Sequence, residues 1–143
     1  MKEENNISSF ASVAYHEDDR AQRVFDIFKN INGQINISYV NSTSHIVAWH
    51  VHKVQTDYWF CPKGSFKVGL AEPQPDGTHT VRWEYLSDKS QRVLKIPPGT
   101  FHGYKALQPE SIMLYYLTEK YNEKDEIKVP PGFFGENWGT EDK

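Results

Sequence analysis

The stretches Ala48-Trp49-His50-Val51-His52 and Pro97-Pro98-Gly99-Thr100-Phe101-His102 decide how this 143-residue chain is read. In an extended segment side chains alternate between faces, so His50 and His52 point one way while Trp49 and Val51 point the other. The second stretch is a Pro/Gly turn that stops one strand and opens the next with a histidine. Across a small β-barrel, such a turn carries a third imidazole toward the first two. Asp57 and Gly64 follow the first stretch at short range. One strand face and one turn thus supply the halves of a single site.

Working outward, the chain from Gln34 onward reads as short strands. Ile35, Ile37 and Tyr39 alternate with Asn36, Ser38 and Val40, and further strands are expected over 45–53, 57–61, 65–72, 78–86, 91–96 and 111–117. Turn chemistry separates them: Pro62-Lys63-Gly64, Pro73-Gln74-Pro75-Asp76-Gly77, Ser87-Asp88-Lys89-Ser90 and Gln108-Pro109-Glu110. Runs that are apolar on both faces, as in Ile112-Met113-Leu114-Tyr115-Tyr116-Leu117, suit a double-sheet jelly roll, with one face lining a cavity and the other packed on a second sheet or subunit. The expected fold is all-β and single-domain, an N-terminal arm over 1–16 followed by the barrel over 17–143. After Glu17-Asp18-Asp19, the spacing of Val24, Phe25, Ile27, Phe28 and Ile31 up to Gly33 predicts a short helix; an irregular or extended approach to the sheet competes with it. The tail Val129-Pro130-Pro131-Gly132-Phe133-Phe134-Gly135-Glu136-Asn137-Trp138 has too much Pro and Gly for a central strand and too many aromatics for free solvent. It is expected to drape over the barrel or a partner.

Composition bounds the function. A net charge of −3 gives no basic field to gather nucleic acid or an anionic membrane, so neither is expected as a partner. The 38% hydrophobic and 14% aromatic content supplies one core rich in residues that suit strands. The single cysteine, Cys61, lies in an aromatic run without a disulfide partner and reads as a buried, inert thiol. No stretch approaches the ~20 apolar residues of a membrane span, and the N-terminus lacks a basic segment followed by an apolar one. The default compartment is the cytoplasm.

The two histidine stretches resemble the paired motifs of the cupin superfamily, whose barrel is also called a double-stranded β-helix. Within it the chain is most similar to the dTDP-4-dehydrorhamnose 3,5-epimerase family and its nucleotide-sugar isomerase relatives. The likeness runs from about Asp19 to Asp125. Asp19-Arg20 followed by Phe25 and Phe28 resembles the family's opening, Asn36, Ser38 and Ser42 its entry strand, and Ala48-Trp49-His50 its catalytic-histidine strand. Leu94 to Tyr104 resembles its strongest motif, and Leu114-Tyr115 then Tyr121-Asn122 its C-terminal strand. The resemblance implies a homodimer that acts, without metal or other cofactor, on a 4-keto nucleotide sugar in carbohydrate biosynthesis. It gives His50 the role of base next to the ketone and Tyr115 that of the acid returning a proton from the opposite face. His102 would hold the keto oxygen or the enolate formed from it. Abstraction next to a carbonyl needs a base near neutral pKa and a donor where enolate charge develops, and an imidazole and a phenol meet those needs.

The chain also departs from the family. The phosphate-binding arginine three positions before the histidine is Val47, the lysine beyond it falls in Asp57-Tyr58-Trp59, and the acidic partner of the base falls in Val129 to Gly132, which holds no carboxylate. Either another acid, such as Asp125, Glu126 or Asp57, stands in, or the epimerase mechanism is not retained. Candidate substrate-binding residues are His52, Trp59 and the cations Arg82, Arg92 and Lys67, which could meet a phosphate. Two other readings stay open. His50, His52, Asp57 and His102 have the spacing of a metal-binding cupin, whose imidazole and carboxylate donors suit a divalent transition metal. A barrel that binds sugar without turnover is the third. His16, His45 and His79 read as packed or solvent-facing residues. Strands apolar on both faces must have their outer face covered, so the expected homodimer draws on the N-terminal arm or an early strand.

Overall fold

The computed structural model describes residues 7–139. Its strands are β1 (Ser9–Ser12), β2 (Ala14–Glu17), β3 (Gln22–Phe25), β4 (Gln34–Val40), β5 (Ile46–His52), β6 (Asp57–Lys63), β7 (Ser65–Pro73), β8 (His79–Ser87), β9 (Arg92–Ile96), β10 (Phe101–Ala106), β11 (Ser111–Leu117) and β12 (Glu126–Lys128). They form two five-stranded sheets, β1-β9-β6-β11-β4 and β12-β5-β10-β7-β8, with β2-β3 as a separate hairpin. All the ladders are antiparallel, and the turns read in the sequence lie at the strand ends, with Pro62, Lys63, Pro73 and Ser87 as the last strand residues before the chain reverses. This is the expected jelly roll. No helix among the described residues is long and apolar enough to cross a membrane.

The two sheets face each other over Trp59, Phe66, Val68, Leu70, Leu86, Leu94, Ile96 and Met113, all buried. Alternation sends the intervening residues outward, and the ends of the chain cover much of both outer faces. On the outer face of the first sheet, Phe60, Val93 and Tyr116 pack against Phe28, with Val24 and Ile27 alongside. On the outer face of the second sheet, Trp49 and Ala71 are covered by Trp138 and Phe134 of the tail. The tail drapes over the barrel as its composition demands.

One sequence expectation changes. No helix forms over 24–33: Gln22–Phe25 is a strand paired with Ala14–Glu17, and the chain then bends through left-handed backbone at Asp26 (φ 51°) and Asn30 (φ 52°). The competing extended approach is the observed one. The aromatic and β-branched residues at issue are weak helix formers, and docking Phe28 on Tyr116 satisfies them better than a short isolated helix would. Within the polar stretch before residue 17, Ser9–Ser12 pairs along Arg92–Lys95 as an edge strand. Residues 1–6 lie outside the described residues.

The outer cover of the second sheet needs a gap in β7. A Cβ at Gly69 would lie 2.7 Å from Trp49 Cη2 and 2.8 Å from Trp138 Cη2, so the two indoles fill the space that a side chain would take. Gly69→Ala should therefore destabilise the protein by about 1–3 kcal/mol through overpacking, read as a lower urea midpoint with unchanged slope. A stability equal to the parent's would mean that the rings are not seated on β7.

Candidate active site

At one end of the barrel the space between the sheets turns polar. A cavity of about 290 Å³ is lined by His50, His52, Asp57, Trp59, His102 and Tyr115, with Asn36, Gln55, Tyr104, Met113 and Glu126 among its other walls. His50 and His52 share the inner face of β5, and the β5–β10 ladder sets His102 directly opposite His50. The His102 ring lies 6.3 Å from that of His50 and 5.4 Å from that of His52. Asp57 opens β6, and the β6–β11 ladder sets Trp59 beside Tyr115. The histidines thus come from one sheet and Tyr115 from the sheet that faces it.

His50 has an acidic partner. Its Nδ1 lies 3.1 Å from Glu126 Oε2, because β12 pairs along β5 and brings Glu126 to the cavity wall. With Nδ1–H donating to the carboxylate, Nε2 keeps its lone pair. Burial pushes the His50 pKa below 6.5, and the Glu126 carboxylate opposes that shift without cancelling it. The imidazole is therefore neutral and basic at neutral pH.

His52, Asp57 and His102 form a buried network behind it. His102 Nδ1 donates to the Thr100 carbonyl at 3.1 Å, which turns Nε2 toward Asp57 Oδ2 at 3.6 Å. Burial holds the His102 pKa down, opposed by Asp57. The Asp57 carboxylate accepts from Gln55 Nε2 at 2.7 Å and from Trp59 Nε1 at 3.1 Å. The same Gln55 nitrogen lies 3.3 Å from His52 Nε2. His52 Nδ1 faces Asp125 at 3.9 Å without a hydrogen bond. Asp125 itself accepts from the backbone N–H groups of Lys53, Val54 and Gln55, so it ties the β5–β6 turn to the segment that carries Glu126.

The donor set expected for a metal is only partly assembled. His52, Asp57 and His102 bring one ligand atom each within 4.8 Å of one another, while His50 turns to Glu126 instead. The Gln55 amide already bridges Asp57 and His52, so a cation would enter only by moving that amide aside.

On the facing sheet, the Tyr115 hydroxyl lies 3.1 Å from Ser38 Oγ. The alternation on β4 runs opposite to a simple polar-out pattern. Asn36 and Ser38 face inward, while Ile35, Ile37 and Tyr39 are 48%, 46% and 67% exposed. Tyr104, quoted in the sequence motif but given no role there, stands edge-on to Trp59; burial raises its pKa, a Ser38 hydrogen bond lowers it less, and Tyr115 adds to the rise.

None of the three candidate phosphate cations lines this cavity. Arg82 is paired with Glu72 and Glu84, Arg92 donates to the Tyr85 carbonyl and lies over the Phe10 ring, and Lys67 lies over the Trp83 ring and donates to the Trp138 carbonyl. Their side chains hold strand edges and the tail. Trp59 does line the cavity, but as a buried residue tied to Asp57. His79 packs on Phe101 and Phe134, and the Cys61 thiol is buried with its pKa pushed up to about 12, as fits an inert residue.

Comparison with known proteins agrees with the geometry. The model of the dTDP-4-dehydrorhamnose 3,5-epimerase family matches residues 7–132. The spore coat polysaccharide biosynthesis protein SpsL of Bacillus subtilis is 33% identical over 103 residues, covering 67% of this chain and 68% of that protein. A dTDP-4-dehydrorhamnose 3,5-epimerase from Bacillus anthracis, solved with TDP and pyrophosphate bound, superposes with a TM-score of 0.80 at 21% identity, over 93% of this chain and 85% of that one. ChmJ, a 3'-monoepimerase from Streptomyces bikiniensis solved with dTDP-quinovose, superposes with a TM-score of 0.81 at 13% identity, over 95% and 78%. At these identities the two solved structures speak to the fold.

The sign of the His50 shift gives a pH prediction. A histidine whose folded pKa is lowered is protonated more readily in the unfolded chain, so His50 favours the fold less as pH falls below 6.5. In ring-detected NMR, His50 should titrate with a midpoint below 6.5, and Glu126→Gln should move it lower still by removing the opposing carboxylate. A midpoint that rises in this variant would contradict the contact.

Proposed function

Because the chain belongs to the dTDP-4-dehydrorhamnose 3,5-epimerase family and is an epimerase or isomerase of nucleotide sugars in polysaccharide biosynthesis, we propose that His50 and Tyr115 are the acid–base pair of an epimerisation. The observation that carries this reading is their placement on opposite walls of one cavity, His50 on β5 and Tyr115 on β11 of the facing sheet. A sugar ring seated between them presents one face to each. His50 Nε2 takes the proton from the carbon next to the ketone, and the electrons move onto the keto oxygen as an enolate. Return of a proton from Tyr115 to the other face inverts the centre. A dTDP-linked 4-keto-hexose fits this chemistry.

Glu126 stands in for the family's missing acid. It holds the Nδ1–H tautomer of His50, which leaves Nε2 free, and it stabilises the imidazolium formed when the proton is taken. His102 is the candidate partner of the keto oxygen: protonated at Nε2, with Asp57 at 3.6 Å offsetting its charge, it would donate to the oxygen as enolate charge develops. His52 and Gln55 keep that carboxylate in place. No metal enters the proposed steps.

We assign the protein a homodimeric, cytoplasmic form. The outer face of β4 supports the dimer, because Ile35, Ile37 and Tyr39 make an apolar row on an edge strand. Light scattering at micromolar concentration should give twice the chain mass, and Ile37→Glu should give the monomer. A parent protein that is monomeric at this concentration removes the assignment.

The catalytic reading is tested with a dTDP-4-keto-hexose in D2O. His50→Ala should abolish both deuterium wash-in and epimerisation while the variant stays folded. Tyr115→Phe should slow epimerisation by about 10²–10⁴-fold and leave wash-in next to the ketone measurable, because His50 alone forms the enolate. Binding without wash-in by the parent protein would make it a sugar-binding barrel instead, and equal loss of both signals in Tyr115→Phe would take the acid role from Tyr115.

A further inference from the structure

Glu126 reaches His50 from a weak support. Its strand β12 is three residues long and lies at the edge of the second sheet, paired among the described residues with β5 alone. A strand this short depends on what holds its two ends. Upstream, Asp125 is tied to the β5–β6 turn. Downstream, Val129 exchanges backbone hydrogen bonds with Trp49 at 2.8 and 3.1 Å, and the chain then turns through Pro130–Gly135 and comes back under β5.

The return is fixed by one carboxylate. Glu136 Oε2 accepts from Trp49 Nε1 at 3.0 Å, from Trp138 Nε1 at 2.9 Å and from the Gly132 N–H, while Oε1 accepts from the Phe134 N–H at 3.1 Å. Trp49 and Trp138 are both buried, so their indole N–H groups depend on this acceptor. Trp49 directly precedes His50 on β5 and projects from the opposite face of the strand, so Glu136 does not line the cavity. One carboxylate thus clamps the C-terminal segment onto the residue next to the candidate base.

We infer that Glu136 is a positioning residue for the active site, acting from the outer face of β5 through Trp49 and the C-terminal segment to hold Glu126 against His50. The inference rests on the reading of His50 and Glu126 given above. Its physical basis is the count of donors around Glu136. A carboxylate accepts at both oxygens, whereas a glutamine offers one oxygen and an NH2 that would oppose an N–H donor. Glu136→Gln therefore keeps the size of the side chain and leaves at least one buried or tightly held N–H without its acceptor. The segment after β12 loosens, and the end of the strand that carries Glu126 loosens with it. Burial raises the Glu136 pKa, yet hydrogen bonds from Gly132, Trp49 and Trp138 hold it below the ordinary carboxylate range, consistent with a charged clamp.

The test is ring-detected NMR of His50 in the full chain, comparing the parent with Glu136→Gln and with Glu126→Gln. In the parent, Nδ1 carries the proton at neutral pH. In Glu136→Gln the Nε2–H tautomer should gain population and the His50 midpoint should fall, in the direction Glu126→Gln takes it, while turnover of a dTDP-4-keto-hexose drops about 10-fold at unchanged KM. The double variant should be no worse than Glu126→Gln alone, since both changes act through one contact. A His50 spectrum and midpoint equal to the parent's in folded Glu136→Gln would overturn the inference and leave Glu136 a purely structural residue. If Glu126→Gln itself leaves His50 unchanged, the base–acid reading is what has failed. Should Glu136→Gln fold poorly, Trp138→Phe removes one donor and keeps a ring under Trp83. A smaller shift of His50 in the same direction then supports the clamp, and an unmoved His50 overturns it.

Discussion

Everything in this protein hangs on β5 being buried on both faces. Its inner face carries His50 and His52 into the cavity, and its outer face carries Trp49 into a second apolar cluster. Trp49 and Val51 need an apolar cover on one side and the histidines a walled cavity on the other, so the fold supplies two covers. The facing sheet closes the inner side and the C-terminal tail closes the outer side. The same segment that covers Trp49 first passes along the edge of β5 and delivers Glu126 to His50. Covering an indole and supplying the carboxylate that meets His50 are thus done by one continuous run of chain.

The polar end of the cavity obeys the same economy of contacts. Ionisable groups are costly inside a barrel unless their hydrogen bonds are made. Asp57 is met by Gln55 and Trp59, Asp125 by three backbone N–H groups, and His102 by the Thr100 carbonyl. Each of these partners lies within a few residues of the groups it serves or on the adjoining ladder. His50 Nδ1 is met by Glu126, which leaves Nε2 facing the cavity, and burial keeps that nitrogen unprotonated at neutral pH.

Much of this could be read in advance. Alternation over His50, Val51 and His52 put two histidines on one face, and the Pro97-Pro98-Gly99 turn put His102 opposite His50. Strand over 111–117 was legible because it is a short apolar run, with Ile112, Tyr115 and Tyr116 suited to strands, that follows a Pro-containing turn. Other features were not legible. The spacing of Val24, Ile27 and Phe28 mimics a helix, and only the docking surface offered by Tyr116 draws that stretch into a strand and a bend. Ile35, Ile37 and Tyr39 look like a core face, yet the sheet turns Asn36 and Ser38 inward because the cavity lies on that side. Arg82, Arg92 and Lys67 carry the right charge for phosphate, but strand parity turns Lys67 outward, and the two arginines are held by Glu72, Glu84 and the Tyr85 carbonyl away from the cavity.

By itself, the sequence determined the strand alternation, the turns and the residue types that a proton transfer next to a ketone requires, because these depend on near neighbours and on side-chain chemistry. The tertiary structure alone decided which acid serves His50. Glu126, Asp125 and Asp57 are all carboxylates near strand ends, and nothing local separates them. Asp57 is held by Gln55 and Trp59, and Asp125 by the β5–β6 turn, which leaves Glu126 to meet Nδ1. That choice is made by the register of a three-residue edge strand on β5, a contact between residues 76 positions apart. Long-range pairing of this kind is written in the packing of the whole barrel, where no short stretch of sequence can express it.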